Sequence, residues 1–378
     1  MRDIVILGST GSIGVQALEV IAANPARFRV VGLASGANNL AKLEAQARAF
    51  NVPIIGTTGD GKSIRASLSG VEVIDGHDSS KQIASLPCDI VLNGITGSIG
   101  LGPTLAALEV GNIVALANKE SLVAGGDLVM KFGRDRIIPV DSEHSALFQA
   151  MLAGRTSDVS KVILTASGGP FRERRDLSSV SVEEALAHPT WSMGKVVTIN
   201  SATLVNKGLE IIEAHYLFGI TYSKIDAVIH PQSIIHSMVE YVDGSTIAQA
   251  SPPNMKGPIA YAMGYPERVA KAMPPIDWTL AQRWDFEPID DERFPSIELA
   301  RRCGGLGGAL TTIYNAANEV AVESFLQRQI PFTAIVDTIE KTVTTMGGSA
   351  PATLRDLDDV TAIEKDARKV AAEMIERI

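Results

Sequence analysis

Three carboxylates stand at positions that suggest metal chemistry. Asp141 and Glu143 follow an apolar strand pattern two residues apart, so their side chains are expected to point to the same face. Two neighbouring carboxylates repel each other unless a cation or a proton lies between them. With Glu210 they would form an oxygen-only ligand set, which suits Mg²⁺ or Mn²⁺. The alternative is a solvated acidic turn.

The third carboxylate belongs to a polar stripe on an otherwise apolar helix, which the sequence predicts from residue 202 to about 218. Four polar residues fall at i, i+3, i+4 and i+7 and therefore share one face: Thr203, Asn206, Lys207 and Glu210. A stripe of this kind either faces solvent or lines a site.

Several residues in the same part of the chain suit an anion. Ser167-Gly168-Gly169 can form a turn of backbone N–H donors, and Ser201 is predicted to lie at a helix N-terminus. With Asn206 and Lys207 these residues would make a phosphate cradle. Each of them could equally belong to an ordinary cap or turn.

The loop formed by residues 188–194 has an unusual composition. It reads His-Pro-Thr-Trp-Ser-Met-Gly, so that Trp191 is bracketed by a proline and a glycine. A Trp in such a loop could form a lid that excludes water from a hydride transfer. The alternative is that Trp191 and Met193 are core residues.

A glycine-rich turn, residues 8–14, lies between the first predicted strand and a helix. Small residues there let the backbone approach a pyrophosphate, which then lies at the helix N-terminus. The alternative is a glycine turn that only packs. The second strand ends in residues 34–38 without the carboxylate that usually contacts an NAD ribose, which favours NADP. This turn contains no Arg or Lys either.

The elements that carry these residues alternate between apolar strands and helical stretches in the N-terminal part. Five strands are predicted there, at residues 4–7, 29–34, 89–92, 113–117 and 137–140. The alternation is typical of βαβ units with a parallel sheet, which binds ligands beyond the carboxyl ends of its strands. Further strands are predicted at residues 162–164, 227–229 and 237–241. A helical tail follows, with Thr361 and Glu364 as a capping box.

The composition is that of an ordinary globular protein. A net charge of −9 argues against a nucleic-acid partner, and two cysteines among 378 residues are too few for a disulfide scaffold. The N-terminus has no basic leader, and the sequence has no apolar run long enough to span a membrane. We therefore expect a cytoplasmic protein with no membrane partner.

Segments along essentially the whole chain resemble 1-deoxy-D-xylulose 5-phosphate reductoisomerases. The segments that carry this resemblance are residues 7–14, 117–121, 140–144, 166–171, 188–194, 201–203, 206–210, 229–233 and 315–319. The resemblance implies an α/β protein with an N-terminal Rossmann-like doubly wound parallel sheet, a central α+β catalytic domain and a C-terminal helical bundle. The sequence pattern predicts the ranges: 1–141 for the NADPH-binding domain, 142–265 for the catalytic and dimerisation domain, 266–295, with many prolines and alternating charge, for a connecting segment, and 296–378 for the helical domain.

The same resemblance implies which residues act. The metal ligands would be Asp141, Glu143 and Glu210, holding Mg²⁺, Mn²⁺ or Co²⁺, and Lys119 and His188 would join them as catalytic residues. The substrate would contact Ser142, Glu143, Ser167, His188, Trp191, Ser201, Asn206, Lys207 and Glu210. NADPH would contact Thr10, Gly11, Ser12, Ile13, Gly36, Ala37, Asn38, Asn118, Lys119, Glu120 and Gly194.

The implied reaction is a metal-dependent retro-aldol and aldol isomerisation, followed by reduction with NADPH. The substrate would be 1-deoxy-D-xylulose 5-phosphate and the product 2-C-methyl-D-erythritol 4-phosphate, on the non-mevalonate route to isoprenoids, and the enzyme would be a homodimer. His144, His230 and His236 could assist proton transfer or be structural. One departure concerns Ala37, where members of the family often carry a basic residue.

Two other classes compete with this interpretation. A semialdehyde dehydrogenase also begins with a glycine-rich turn, but it needs a reactive cysteine, and neither Cys88 nor Cys303 has a suitable setting. A redox-sensing NADPH-binding module would need neither three carboxylates nor a phosphate cradle.

Overall fold

Seven short strands of the N-terminal part form one parallel sheet. They are β1 (Arg2–Leu7), β2 (Phe28–Ser35), β3 (Ile54–Thr57), β4 (Glu72–Asp75), β5 (Ile90–Asn93), β6 (Ile113–Leu116) and β7 (Ile137–Pro139). Their order in the sheet is β4-β3-β2-β1-β5-β6-β7, and every neighbouring pair is parallel. The strand order reverses beside β1, which is where ligands bind in doubly wound sheets.

The predicted Rossmann-like sheet is thus confirmed, but β3 and β4 were missing from the prediction. The central strands were predictable because they are buried on both faces and read as apolar runs. β3 contains a glycine and β4 has a carboxylate at each end, so neither shows such a run.

The helices that connect these strands, together with the one that follows β7, are short. They are α1 (Ser12–Ala23), α2 (Leu40–Ala49), α3 (Lys62–Ser67), α4 (Ser79–Ala84), α5 (Leu101–Glu109), α6 (Glu120–Met130) and α7 (Ser142–Ala150). Because each of the first six begins just after a strand or after a short turn, their N-termini lie at the carboxyl edge of the sheet.

A second, mixed sheet has four strands, β8 (Val159–Ala166), β9 (Ile225–Ile229), β10 (Ile235–Tyr241) and β11 (Thr246–Ala250). Its order is β11-β10-β8-β9, with β8 and β9 parallel and β10 antiparallel to both of its neighbours. Between β8 and β9 lie α8 (Val182–Leu186), α9 (Lys195–Ala202) and α10 (Val205–Phe218). The prediction lacked β11, whose first three residues are exposed.

The remaining helices are α11 (Lys256–Gly264), α12 (Ser296–Leu306), α13 (Leu310–Leu326), α14 (Ala334–Gly347) and α15 (Leu357–Ile375). The predicted helical tail is confirmed, but the predicted capping box is wrong. The α15 helix begins earlier, because the side chain of Asp356 accepts a hydrogen bond from the backbone N–H of Asp359. Thr361 lies inside the helix and donates to the carbonyl oxygen of Leu357 at 2.9 Å.

The computed structural model describes residues 1–191 and 193–378. These residues form two compact units, one made of residues 1–121, 129–145 and 254–274 and the other of residues 122–128, 146–253 and 275–378. Within the described ranges, no helix combines the length and the apolar character that a membrane crossing requires. The four-part division predicted from the sequence stays a prediction.

Candidate active site

The glycine-rich turn of the first unit has the close packing that a dinucleotide turn requires. A Cβ atom at Gly14 would lie 2.4 Å from the Cα atom of Ser9, so only glycine fits there. Gly11 precedes the first turn of α1 in an extended conformation, and Ser12 and Ile13 open the helix. Backbone N–H groups at a helix N-terminus suit the charge of a pyrophosphate.

Side-chain contacts link this turn to the turns on both sides of it. The hydroxyl oxygens of Thr10 and Ser35 lie 2.7 Å apart, which joins the turns after β1 and β2. On the other side, a Cβ atom at Gly94, just after β5, would lie 3.2 Å from that of Ile13. The carboxyl edge of the sheet is therefore a continuous surface at this point.

Asn118 extends this surface to the turn after β6. Its side-chain N–H groups donate to the carbonyl oxygens of Ile95 at 2.7 Å and Gly97 at 2.8 Å, and to a carboxylate oxygen of Glu120 at 2.9 Å. Asn118 and Glu120 are both buried. These two predicted cofactor residues thus lie on the same sheet edge as the dinucleotide turn, whereas Gly36, Ala37 and Asn38 form the exposed turn after β2.

The largely buried pair Lys119 and Asp141 joins the ends of β6 and β7. The Nζ atom of Lys119 lies 2.5 Å from Oδ2 of Asp141, and Nδ1 of His144 lies 3.6 Å from Oδ1. Burial is the largest influence on the pKa of Asp141 and would raise it, but the charges of Lys119 and His144 outweigh burial and hold this pKa well below its usual range. Asp141 is therefore an ionised carboxylate.

Asp141 and Glu143 lie close together, as predicted, but the strand repeat on which the prediction rested is absent. The strand ends at Pro139, and Glu143 belongs to the first turn of α7, so the two-residue strand repeat does not apply. They are neighbours because the chain turns into a helix, and the backbone N–H of Glu143 donates to Oδ1 of Asp141 at 3.3 Å. The hydroxyl of Ser142 donates to the carboxylate of Glu143.

In the second unit, the helix predicted from residue 202 begins at Val205 as α10, and a separate helix, α9, precedes it and ends at Ala202. Leu204 has a left-handed backbone with φ of 56°, which ends α9 and starts α10. Ser201 therefore lies in the last turn of α9, and its predicted place at a helix N-terminus is wrong. Thr203 lies between the helices and donates to the carbonyl oxygen of Ile199 at 3.0 Å, so it is not part of the polar stripe.

The rest of the stripe is a tightly connected group on α10. Lys207 and Glu210 form a buried ion pair, and the side-chain N–H of Asn206 donates to the other carboxylate oxygen of Glu210. The ammonium of Lys207 also donates to the carbonyl oxygen of Thr165 at 2.5 Å, which ties α10 to the end of β8. The role of Thr165 could not be predicted from the sequence, because a residue of any type offers the same backbone carbonyl oxygen.

The predicted phosphate turn follows β8 directly. Gly168 and Gly169 both have left-handed backbones, and the backbone N–H of Gly169 donates to the hydroxyl of Ser167 at 3.2 Å. A Cβ atom at Gly169 would lie 2.9 Å from the carbonyl oxygen of Ser201. The turn and the end of α9 are therefore in direct contact.

His188 connects the predicted lid to this turn. Its Nε2 atom lies 3.0 Å from the hydroxyl of Ser167, while its Nδ1 atom accepts the backbone N–H groups of Thr190 at 3.1 Å and Trp191 at 2.9 Å. Nδ1 is thus an acceptor, and burial lowers the pKa of His188, so that the neutral ring donates from Nε2 to Ser167.

Trp191 lies beside β10 of the second sheet. The rings of Trp191 and His236 have centroids 6.2 Å apart, and Trp191 is half-buried. Gly194 is exposed and precedes the first turn of α9. Ser192 of the predicted loop lies outside the described residues.

Two of the histidines left open by the sequence have backbone partners. His230 accepts the N–H groups of Ile234 and Ile235 at Nε2, so its Nδ1 atom carries the proton that is donated to the carbonyl oxygen of Asp285 at 2.8 Å. The Nε2 atom of His236 lies 3.1 Å from the carbonyl oxygen of Ser251. Both rings hold loops in place. His144 instead lies against Asp141.

The cysteines do not provide a nucleophile. Burial raises the pKa of Cys88 and of Cys303 to about 12 in each case, so both are protonated thiols near neutral pH. A thiolate is the reactive form of cysteine, which argues against semialdehyde dehydrogenase chemistry.

The donor chemistry suits a hard divalent metal. Asp141 and Glu143 offer carboxylate oxygens within the first unit, and Glu210 offers them within the second. Carboxylate oxygens are ligands that Mg²⁺ and Mn²⁺ prefer. Lysines accompany these carboxylates in each unit, at Asp141 and at Glu210. Lys119 helps to keep Asp141 ionised, and a lysine at such a position can stabilise negative charge on a bound substrate.

Comparison with known proteins identifies the family. Three family models match: 1-deoxy-D-xylulose 5-phosphate reductoisomerase over residues 4–126, the C-terminal domain of that enzyme over residues 137–218, and the DXP reductoisomerase C-terminal domain over residues 250–370. Curated 1-deoxy-D-xylulose 5-phosphate reductoisomerases are similar along nearly their whole length. That of Kitasatospora griseola is 51% identical, covering 98% of this chain and 99% of the relative. That of Leifsonia xyli is 52% identical, covering 100% and 99%.

Solved structures give the same result. The Zymomonas mobilis enzyme in complex with NADPH superposes with a TM-score of 0.93 at 40% identity, covering 100% of both chains. A DOX-P reductoisomerase in complex with NADPH, fosmidomycin and magnesium has a TM-score of 0.92 at 37% identity, covering 100% of this chain and 98% of that one. The chain belongs to the 1-deoxy-D-xylulose 5-phosphate reductoisomerase family.

Proposed function

We propose that this protein converts 1-deoxy-D-xylulose 5-phosphate into 2-C-methyl-D-erythritol 4-phosphate, using NADPH and a divalent metal, as a step of the non-mevalonate isoprenoid pathway. One observation carries the proposal: a single edge of the seven-stranded sheet holds both a dinucleotide turn, at residues 8–14, and the ionised carboxylate Asp141 beside Glu143. A hydride donor and a Lewis acid are the two agents that an isomerisation coupled to a reduction needs. Homologues named for this reaction, and the NADPH and magnesium in related structures, support it.

The metal would be held by Asp141, Glu143 and Glu210. When bound, it would supply polarisation of adjacent oxygens on the substrate. Support comes from the donor set, which consists of carboxylate oxygens only, and from a related DOX-P reductoisomerase structure that contains magnesium. Mg²⁺, Mn²⁺ and Co²⁺ all remain compatible with these ligands.

Lys119 would act on charge that develops on the substrate. Its ammonium is held beside Asp141 at a buried position between the cofactor edge and the acidic pair. A buried, oriented cation stabilises a developing oxyanion far better than water does. Ser142, whose hydroxyl already donates to Glu143, would donate to a substrate hydroxyl or carbonyl oxygen.

The phosphate of the substrate would bind in the second unit. The turn at Ser167 offers a hydroxyl and backbone N–H groups, and its contact with the end of α9 brings Ser201 to the same place. Asn206 and Lys207 would complete the cradle. The buried Lys207 then matters most, because a desolvated cation binds phosphate more strongly than an exposed one.

The loop of residues 188–194 would close over the bound substrate. The backbone N–H of Trp191 donates to the Nδ1 atom of His188 at 2.9 Å, so Trp191 would move together with the imidazole that contacts Ser167. Closure would exclude water and protect the reduction step. Gly194, at the end of the loop, has no neighbour that an added Cβ atom would meet within 4 Å, which leaves room for a cofactor.

Three further properties of the protein are proposed together with the activity. We propose a homodimer in the cytoplasm, and the division into domains at residues 141, 265 and 295 that the sequence pattern predicts. Size-exclusion chromatography with light scattering measures the first of these directly.

The activity is tested by leaving out one component of the assay at a time. Loss of NADPH absorbance should require the sugar phosphate, the protein and Mg²⁺ or Mn²⁺ together, and a chelator should stop it. Consumption of NADPH that does not depend on the sugar phosphate would refute the proposal. Binding of NADPH without any turnover would favour a sensing module instead.

A further inference from the structure

The turn that follows β2 lacks a charge for the 2′-phosphate of NADPH. Gly36, Ala37 and Asn38 are exposed and uncharged. The hydroxyl of Ser35 is already engaged, since it lies 2.7 Å from the hydroxyl of Thr10 and 3.3 Å from the carbonyl oxygen of Gly36. A phosphate monoester carries about −1.5 to −2 charge at pH 7, so neutral donors alone are a weak match for it.

Lys42 brings a cation to this place from the next helix. It lies in the first turn of α2, and its ammonium donates to the carbonyl oxygen of Thr10 at 2.9 Å. Thr10 belongs to the dinucleotide turn and also contacts Ser35 at the end of β2. The ammonium therefore stands at the junction of the two turns between which the adenosine ribose lies in dinucleotide-binding sheets.

The side chain of Lys42 is free to bind a ligand at this junction. An ammonium has three N–H donors, and Thr10 accepts one of them. Lys42 is exposed, so an anion can approach without displacing packed groups. A cation in the first turn of a helix opposes the helix dipole, so the position is poorly explained by helix stability and better explained by an anionic ligand.

Lys62, in the segment after β3, offers a control for Lys42. Gly59, in the turn after β3, packs against Ala37, because a Cβ atom at Gly59 would lie 2.9 Å from that of Ala37. Lys62 follows in the same segment, but its ammonium lies 3.7 Å from a carboxylate oxygen of Asp60. Lys62 is an exposed lysine like Lys42, and its ammonium pairs with Asp60 rather than with the dinucleotide turn, which makes it a control for the loss of one surface charge.

We propose that Lys42 binds the 2′-phosphate of NADPH and supplies the charge that Ala37 does not. Lys42 is then the residue that sets the preference for NADPH over NADH in this chain. The inference rests on the proposed function, because it takes NADPH as the cofactor.

The experiment measures cofactor binding rather than turnover. Dissociation constants for NADPH and NADH are determined by fluorescence titration of the full-length protein for the wild type, Lys42→Gln, Lys42→Arg and Lys62→Gln. A charge-assisted hydrogen bond to phosphate predicts that Lys42→Gln weakens NADPH binding about tenfold. NADH binding should change less than twofold, Lys42→Arg should stay close to the wild type, and Lys62→Gln should change neither constant. Ala37→Arg in the Lys42→Gln background should restore NADPH affinity.

Two results would overturn the assignment. Equal weakening of NADPH and NADH by Lys42→Gln would show that Lys42 supports the turn or the pyrophosphate instead of the 2′-phosphate. An unchanged NADPH affinity in Lys42→Gln would show that Lys42 does not contact the 2′-phosphate. An equal loss of NADPH affinity in Lys62→Gln would show that the effect comes from surface charge and not from a local contact of Lys42. Failure of the proposed function looks different, because the wild type would then show no consumption of NADPH that depends on the sugar phosphate, whatever its dissociation constants.

Discussion

Gly169 offers a quantitative test of the phosphate turn. A substitution to alanine adds one methyl group where the backbone has φ of 63°, and that group would lie 2.9 Å from the carbonyl oxygen of Ser201 and 3.1 Å from the Cα atom of Ala202. Both neighbours are backbone atoms, so rotation of a side chain cannot relieve the clash. Gly169→Ala must therefore move either the turn or the end of α9.

The expected magnitude has two parts. A left-handed backbone costs an alanine about 1–2 kcal/mol relative to glycine. Overpacking against backbone atoms adds about 1–3 kcal/mol. Gly244 has a similar φ of 83°, but a Cβ atom there would meet nothing within 4 Å, so Gly244→Ala carries the first cost without the second. The difference between the two variants isolates the contact with α9.

The assay combines urea unfolding with steady-state kinetics. Gly169→Ala should be less stable than Gly244→Ala by about 1–3 kcal/mol. It should also raise the KM for the sugar phosphate, while Gly244→Ala leaves KM unchanged. Equal stability of the two variants together with an unchanged KM would refute both the packing of the turn on α9 and its role in holding phosphate.

Three further predictions concern single side chains. Glu210→Gln keeps an oxygen acceptor for Lys207, so the protein should stay folded by circular dichroism but lose kcat by several orders of magnitude, whereas near-normal turnover at low Mn²⁺ would remove Glu210 from the metal site. Trp191→Phe should abolish most of the change in tryptophan fluorescence on ligand binding, and an undiminished change would exclude Trp191 as the lid. The pKa of Cys88 and of Cys303 is raised to about 12, so an alkylating reagent should label both thiols slowly at pH 8 in the native protein and rapidly after denaturation. Rapid labelling of the native protein would contradict the burial that raises these pKa values.

The sequence was most informative where one residue type satisfies several physical demands at once. The apolar residues of β1 predicted a buried strand, because burial selects apolar side chains. The glycines of residues 8–14 predicted a turn that binds a dinucleotide, because close backbone approach selects glycine. The closeness of Asp141 and Glu143 was predicted correctly, but it results from the start of α7 and not from a strand repeat. Spacing alone cannot tell a strand end from a helix start when the two follow within three residues.

Other features depend on tertiary contacts that leave no local signal. The left-handed Leu204 interrupts a segment whose composition suits one continuous helix, since leucine is a strong helix former. The ammonium of Lys42 reaches Thr10 across thirty-two positions of sequence, and that of Lys207 reaches the carbonyl of Thr165 across forty-two. Such long-range contacts set the charge pattern of the sheet edge and of the proposed phosphate cradle, and they become visible only in the folded chain.

The most direct test of the account is the fate of a labelled hydride. The protein is incubated with 1-deoxy-D-xylulose 5-phosphate, Mg²⁺ and NADPH that carries deuterium at the transferred position, and the product is analysed by NMR. The account predicts a branched product, 2-C-methyl-D-erythritol 4-phosphate, with one deuterium on the carbon that was the aldehyde of the rearranged sugar. A deuterated product that keeps the unbranched carbon chain of the substrate, or a branched product without deuterium, would contradict it.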